Sequence, residues 1–125
     1  MQNKYNLIIS PLAKKDLNSI YDYVWLDLYS KISASKLIND FYKAFDTISY
    51  FPESFPVIDN EFLSSEILRK VVVRNYIILY YFENDTITIV RIVYGARDYE
   101  NIVKKIDWLK SIFRNYKYSF IIMNC

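Results

Sequence analysis

Apolar residues in the first half of the chain recur every three or four positions, whereas in the second half they crowd into short, nearly continuous runs. Ahead of the first helical pattern, Tyr5 to Ile9 is a brief apolar run closed by Ser10-Pro11, and it reads as a strand. Ser10 is a good helix N-cap and Pro11 suits the first helical position, so a helix is predicted to begin there. Leu17, Ile20, Tyr21, Val24 and Leu28 then lie on one helical stripe, with Asp16, Asp22 and Asp27 off it. Ala34, Leu37, Phe41, Ala44 and Ile48 form a second stripe, which starts after Ser30 or Ser33 and ends before Phe51-Pro52. Together they predict a helical hairpin. Pro52 and Pro56 cannot sit inside a helix and mark a loop that runs on to about Glu66.

From Leu68 the period changes. LRKVVV, YIILYYF and TITIVRIVY follow one another closely and are rich in Val, Ile and Tyr, which predicts consecutive antiparallel strands. Arg74-Asn75 and Asn84-Asp85 separate the runs, and Asn and Asp tolerate the positive φ that two-residue hairpins demand. Strict alternation puts Ile87, Ile89, Arg91 and Val93 on one face of the third strand and Thr88, Val90, Ile92 and Tyr94 on the other. After Gly95, the spacing of Ile102, Ile106, Leu109 and Phe113 predicts a third helix over Asp98 to Phe113. The remaining NYKYSFIIMNC fits a strand, a helix extension or a partner-docking segment equally. The class is α+β: an N-terminal strand, a helical hairpin, an antiparallel β-meander and a C-terminal helix.

Composition narrows the chemistry. With 125 residues, 53% of them hydrophobic, the chain can bury one core and has no disorder signature. It lacks a run of about 18 apolar residues, and its first ten residues lack the apolar core of a signal peptide, so a cytoplasmic protein with no membrane partner is expected. The only cysteine is Cys125, which leaves no intrachain disulfide framework. There is no histidine, which removes the usual zinc sites and any Ser-His-Asp or Cys-His arrangement. Gly95 is the only glycine, so glycine-rich phosphate loops are absent and no nucleotide or metal cofactor is expected. Lys, Arg, Tyr, Asp and Glu remain for chemistry, or binding alone.

Charge is unevenly spread. Residues 1 to 67 carry six Lys/Arg against nine Asp/Glu, while residues 68 to 97 carry five against two. A basic sheet suits RNA, DNA or an acidic protein segment. Solvated strand ends at Arg69, Lys70, Arg74, Arg91 and Arg97 would produce the same bias, so the charge alone assigns no ligand. The 13 tyrosines are spread over the chain, and Tyr80, Tyr81 and Tyr94 fit sheet packing before base stacking.

Taken in order, these segments resemble the RelE/ParE superfamily of toxins from type II toxin-antitoxin modules. SPLAKKDLNSIYDYV is similar to that family's first helix, through Ser10-Pro11, Ala13, Asp16-Leu17, Ile20 and Tyr23. ISYFPESFP is similar to its helix-two exit, LRKVVVRNYIILYYF to its Leu-Arg, Asn-Tyr and Tyr landmarks, and IVRIVYGARD to its last strand with the Arg97-Asp98 ending. The likeness implies a toxin domain over 1–98, with 99–125 a C-terminal helical extension of the same domain. It also implies a cognate antitoxin whose flexible region folds on the toxin, with a homodimer or a toxin-antitoxin hetero-oligomer as possible assemblies.

Two activities are implied by that resemblance. RelE-like members cut mRNA in the ribosomal A site without metal, using Lys, Arg and Tyr to move protons and neutralise charge. ParE-like members inhibit DNA gyrase by binding. In this chain Lys70 and Arg97 match basic positions of the RelE-like site and Tyr99 lies near its C-terminal tyrosine, displaced in the alignment. However, Ile77 stands where the arginine after the tyrosine is expected, and Leu68 where the first lysine is expected. The departures favour target binding over cleavage, with Arg69, Arg91 and Arg97 as contact residues. A relative that binds antitoxin without being toxic is the third reading.

Overall fold

The computed structural model describes residues 4–27, 30–58, 68–95 and 121–123. Its elements in chain order are β1 (Asn6–Ile9), α1 (Pro11–Asp27), α2 (Lys31–Tyr50), β2 (Leu68–Val73), β3 (Tyr76–Glu83), β4 (Thr86–Tyr94) and β5 (Ile121–Met123). The expected helix over 98–113 lies outside the described residues, as do Arg97 and Tyr99.

Both helices start where their capping chemistry allows. The Ser10 hydroxyl accepts from the Ala13 amide at 3.1 Å, and Pro11 supplies the fixed φ of a first helical residue. Of the two serines that could open α2, Ser30 is the cap: it is extended and accepts from the Ser33 amide at 3.1 Å. Helix α2 turns Ala34, Leu37, Phe41, Phe45 and Ile48 into the core. Phe45, rather than its half-buried neighbour Ala44, fills that stripe. Fully buried Phe41 and Phe45 each contribute about 2 kcal/mol by leaving water.

The sheet has the order β2-β3-β4-β1-β5. The meander β2-β3-β4 is antiparallel throughout, as the three apolar runs predicted. β1 lies parallel to β4, with Leu7 opposite Ile87 and Ile9 opposite Ile89, and the whole helical hairpin lies between the two in sequence. β5 pairs antiparallel with the other side of β1. The far edge, on β2, is covered by the end of the proline loop: the Ile58 amide donates to the Leu68 carbonyl at 2.7 Å and the Lys70 amide to the Pro56 carbonyl at 3.1 Å.

Two details depart from simple alternation. Leu79 pairs with Arg91 but Tyr80 pairs with Ile89, so Val90 is an extra residue on β4 and forms a β-bulge. Ile87, Ile89 and Ile92 therefore share the helix-side core, and the expected grouping of Ile92 with Thr88 and Val90 does not hold. At the 84–85 turn both central residues have positive φ (54° and 59°), as Asn-Asp permits. At the 74–75 turn the positive φ falls on Arg74 (54°) instead of Asn75, because the Val73–Tyr76 pairing makes Arg74 the first central residue.

Candidate functional site

The basic residues of the sheet occupy three settings. Arg69, at the start of β2, points to the proline loop, where its Nη1 donates to the carbonyls of Phe55 at 2.7 Å and Glu53 at 3.1 Å. Beside it the fully buried Tyr80 donates its hydroxyl to the Pro52 carbonyl at 2.7 Å. Pro52 and Pro56 keep this loop out of helix, and an arginine and a phenol satisfy the carbonyls left over. Burial pushes the Tyr80 phenol up to about 12, partly offset by the nearby Arg69 charge.

The second setting lies where β4 outruns β1. Ser10 ends β1, and its amide donates to the Ile89 carbonyl at 3.0 Å while its hydroxyl donates to the Val90 carbonyl at 2.9 Å. Two turns into α1, the Asp16 carboxylate accepts from Arg91 Nε at 2.8 Å, Arg91 Nη2 at 3.0 Å and the Ile92 amide at 2.9 Å. The bulge at Val90 shifts β4 so that an arginine on its outer edge forks onto a helix carboxylate. Arg91 and Asp16 are mostly covered, at 23% and 16% exposed. Such a charge-assisted bidentate pair fixes geometry as well as energy. Asp16 and Ser10 are partners of β4 that periodicity does not identify. Their signal was an aspartate off the apolar stripe and a serine before proline.

The third setting is the corner where β4 ends. Gly95 has φ +69° and donates its amide to the Asn75 carbonyl at 2.9 Å, extending the ladder past the Tyr76–Tyr94 pair. Tyr76 packs edge-on against Phe41 and Tyr94, with ring centroids 5.5 and 5.3 Å apart, and burial raises its phenol, as do neighbouring Tyr94 and Tyr23. Tyr94 is largely exposed, so the packing expected of it is carried mainly by Tyr76. Arg74 meets Asp40 at 2.8 Å across this end. A pocket of about 200 Å³ opens between Ser19, Ile20, Tyr76 and Tyr94, with the Asp16–Arg91 pair in its wall.

Lys70 lies at a distance from that corner. It faces away from the helices, opposite Leu79 on β3, and shares that face with Val72 and Ile77, of which Val72 is exposed. Burial raises the Tyr81 phenol on the same face, although a hydrogen bond with Thr88 opposes the shift. Arg69 and Arg91 are thus each engaged inside the protein and are not brought together. The structure does not place Arg97 or Tyr99 relative to them.

On the opposite side of the molecule, α1 and α2 leave a groove of about 390 Å³. Leu17, Tyr21, Ile38 and Tyr42 line it, and Lys14 and Asn18 join them. Among the described residues no three His, Cys, Asp or Glu side chains gather as a metal site, and no helix is long and apolar enough to cross a membrane.

The arrangement has relatives. Two solved assemblies are similar to this chain in fold. A chain from the chromosomal ParDE toxin-antitoxin system of P. aeruginosa superposes with a TM-score of 0.60 at 20% identity, covering 74% of this chain and 97% of that one. A chain from the RelBE2 toxin-antitoxin complex of Mycobacterium tuberculosis gives 0.50 at 17% identity, covering 77% and 99%. Comparison with curated proteins finds no match. Residues 7–99 match the family described as ParE toxin of type II toxin-antitoxin system, parDE. Because that match spans most of the chain, including the strand-helix-helix-meander order built above, the protein belongs to the ParE toxin family of type II toxin-antitoxin systems.

Proposed function

We propose that this toxin arrests growth by binding a macromolecular target, with DNA gyrase the target that the ParE family implies, and does so without cutting RNA. One observation carries the reading: two positions where the resemblance expects basic residues of a metal-free nuclease are apolar, and two arginines of the same sheet are committed to partners inside the protein. Arg69 holds loop carbonyls, Arg91 holds Asp16, and positions 68 and 77 are leucine and isoleucine. Tyr80, its phenol pushed up to about 12 by burial and its hydroxyl committed to the Pro52 carbonyl, is a poor base.

Arg97, two residues after the only glycine, is the contact residue we assign to the target, with the Tyr94 and Gly95 corner as its base. Arg69 and Arg91 support target binding by holding the loop and strand β4 in place. A cognate antitoxin, acidic and amphipathic, neutralises the toxin. The apolar groove between α1 and α2, with Lys14 at its rim, suits one face of such a segment. Ribosome-dependent cleavage is the second reading, supported by Lys70, which matches a basic position of the RelE-like site and lies on the sheet face away from the helices, and by fold similarity to the RelBE2 chain.

Induced expression in a growing bacterium tests this, with gyrase supercoiling and ribosome-bound mRNA assayed in parallel. Growth arrest with blocked supercoiling and intact mRNA is expected. Arrest with A-site cleavage would overturn the reading and make Lys70, Arg97 and Tyr99 the residues to substitute. Unimpaired growth with the protein folded would leave a non-toxic antitoxin-binding relative.

A further inference from the structure

The sheet buries side chains on both of its faces, but the helical hairpin accounts for only one. On that face Val71, Ile78, Tyr80, Ile87 and Ile89 form one core with α1 and α2. Alternation turns the residues between them the other way: Leu79, between Ile78 and Tyr80, and Thr88, between Ile87 and Ile89, point outward, as does Val93 after Ile92. None of the three belongs to the helix-side core, yet they are only 0%, 4% and 3% exposed. Side chains standing next to one another on a sheet leave their outer ends to water, so exclusion this complete requires a second layer. Val72 on β2 shares the outward face and is 64% exposed. The cover therefore lies over β3 and β4 and stops short of β2.

The path of the chain supplies an occupant. β1 runs parallel to β4 and antiparallel to β5, so the chain leaves β4 and enters β5 at the same end of the sheet, with β1 between them. At that end β1 turns through Ser10 into α1, which takes the helix-side face. A connection from β4 to β5 that does not cross this turn passes over the outward face. It has 25 residues, 96–120, to span two strand spacings of about 4.8 Å each, where a handful would suffice. Within them Ile102, Ile106, Leu109 and Phe113 fall on one helical stripe, and Glu100, Lys104, Asp107 and Ser111 on the opposite one. A helix over 98–113 would be about 24 Å long, close to the roughly 30 Å of the 9-residue β4. The segment 59–67, by contrast, leads into β2, the strand whose outward Val72 is uncovered.

We propose that residues 98–113 form an amphipathic helix seated on the outward face of the sheet, with the Ile102, Ile106, Leu109 and Phe113 stripe against Leu79 and Val93, so that this chain covers its sheet on both faces. Most of this layer lies beyond the 7–99 span that matches the toxin family, and β5 anchors its far end to β1. What stays open on the outward face is the β2 rim around Val72, too narrow to serve a nucleic-acid strand as a flat platform. The layer is independent of which target the toxin binds, and its test uses no toxicity.

Two full-length variants, each carrying a single nitroxide-labelled cysteine, locate the segment: Val72→Cys/Cys125→Ser marks the outward face, and Ile32→Cys/Cys125→Ser, at an exposed position of α2, marks the helix side. Paramagnetic broadening of the amides of 102–113 is the readout. The label at 72 should at least halve their intensities and the label at 32 should leave them unchanged. Amides that neither label broadens, or that the label at 32 broadens as much, overturn the proposal. Leu109→Asp and Ser111→Asp then separate the two sides of the helix by hydrogen exchange, with solution mass followed by light scattering. Leu109→Asp should speed exchange within 98–113 by tenfold or more at unchanged mass, and Ser111→Asp should not. Equal behaviour of the two variants refutes the seating, and so does a loss of protection that accompanies a fall from dimer to monomer, since the stripe would then rest on a second copy. Should Leu109→Asp fail to fold, the pair of labels decides alone.

Discussion

Two seams tie the rest of the molecule to its sheet, and each is built around an arginine that the sequence offers as a surface residue. At the seam between α1 and β4, Arg91 meets a carboxylate that also accepts the Ile92 amide, so a charge is compensated by a charge in a mostly covered place. At the seam between the proline loop and β2-β3, Arg69 meets only neutral carbonyls, with the Tyr80 phenol beside it. The first seam is an all-or-nothing unit, since removing either ion leaves the other covered and unpaired. The second degrades gradually, because a released carbonyl on a loop can turn to water. Similar residues therefore differ in what their loss exposes, and ΔΔG should follow that exposure rather than the number of hydrogen bonds.

The largest test is Asp16→Ala. It leaves the Arg91 guanidinium without its counter-charge and the Ile92 amide without an acceptor, and should cost about 3 kcal/mol. Urea denaturation measures it, with Asp16→Asn, whose amide oxygen can still accept from Ile92 but which carries no charge for Arg91, expected to recover only the share of that one hydrogen bond. A cost for Asp16→Ala no larger than that of an exposed pair would collapse the contrast between the seams.

Next comes alkaline pH, which acts on the second seam through Tyr80. The folded protein holds that proton until about pH 12, whereas an ordinary tyrosine releases it near 10.0. Between those values the folded state binds more protons than the unfolded one. The stability due to the neutral phenol is therefore complete below pH 10 and is lost as pH climbs towards 12, on the order of 2 kcal/mol in all. Tyr80→Phe should be less stable than wild type at neutral pH by about 1 kcal/mol, and the difference should close or reverse across that window. A constant difference up to pH 12 would mean that Tyr80 ionises without penalty.

Ser10→Ala returns to the first seam with a smaller effect. It removes the α1 cap and leaves the buried Val90 carbonyl without its donor, for about 1.5 kcal/mol. The variant also shows what the sequence could and could not convey. Ser10-Pro11 announced a helix start, the apolar runs announced a meander, and Asn84-Asp85 announced a tight turn, because each depends on neighbours within a few residues. The bulge at Val90 was not legible, since it depends on how β4 meets β3 and the start of α1 together. Nor was the partner of Arg91: Asp16 lies 75 residues away, and helical periodicity says only that it avoids the apolar stripe. A strand was one of three readings of the final segment, and only the pairing of Ile121–Met123 with Leu7, Ile8 and Ile9 selects it.

The smallest expected change carries the functional question. Arg69→Lys keeps the positive charge but replaces the Nη1 that donates to both the Glu53 and Phe55 carbonyls with an ammonium on a shorter stem, which reaches the two carbonyls less well. The stability cost should be about 0.5 kcal/mol, near the low end for a hydrogen bond that water can replace. If Arg69 acts by holding the proline loop, growth arrest should survive this substitution and weaken only with Arg69→Met, in step with loop exchange rates. If Arg69 instead touches the target, Arg69→Lys should abolish arrest while the denaturation curve and the exchange of residues 52–58 stay at their wild-type values. The second outcome would move Arg69 from the interior of the seam to the binding surface. The contrast between the two arginines would then rest on function as well as energy, because Arg91, locked to its carboxylate, has no equivalent freedom to leave.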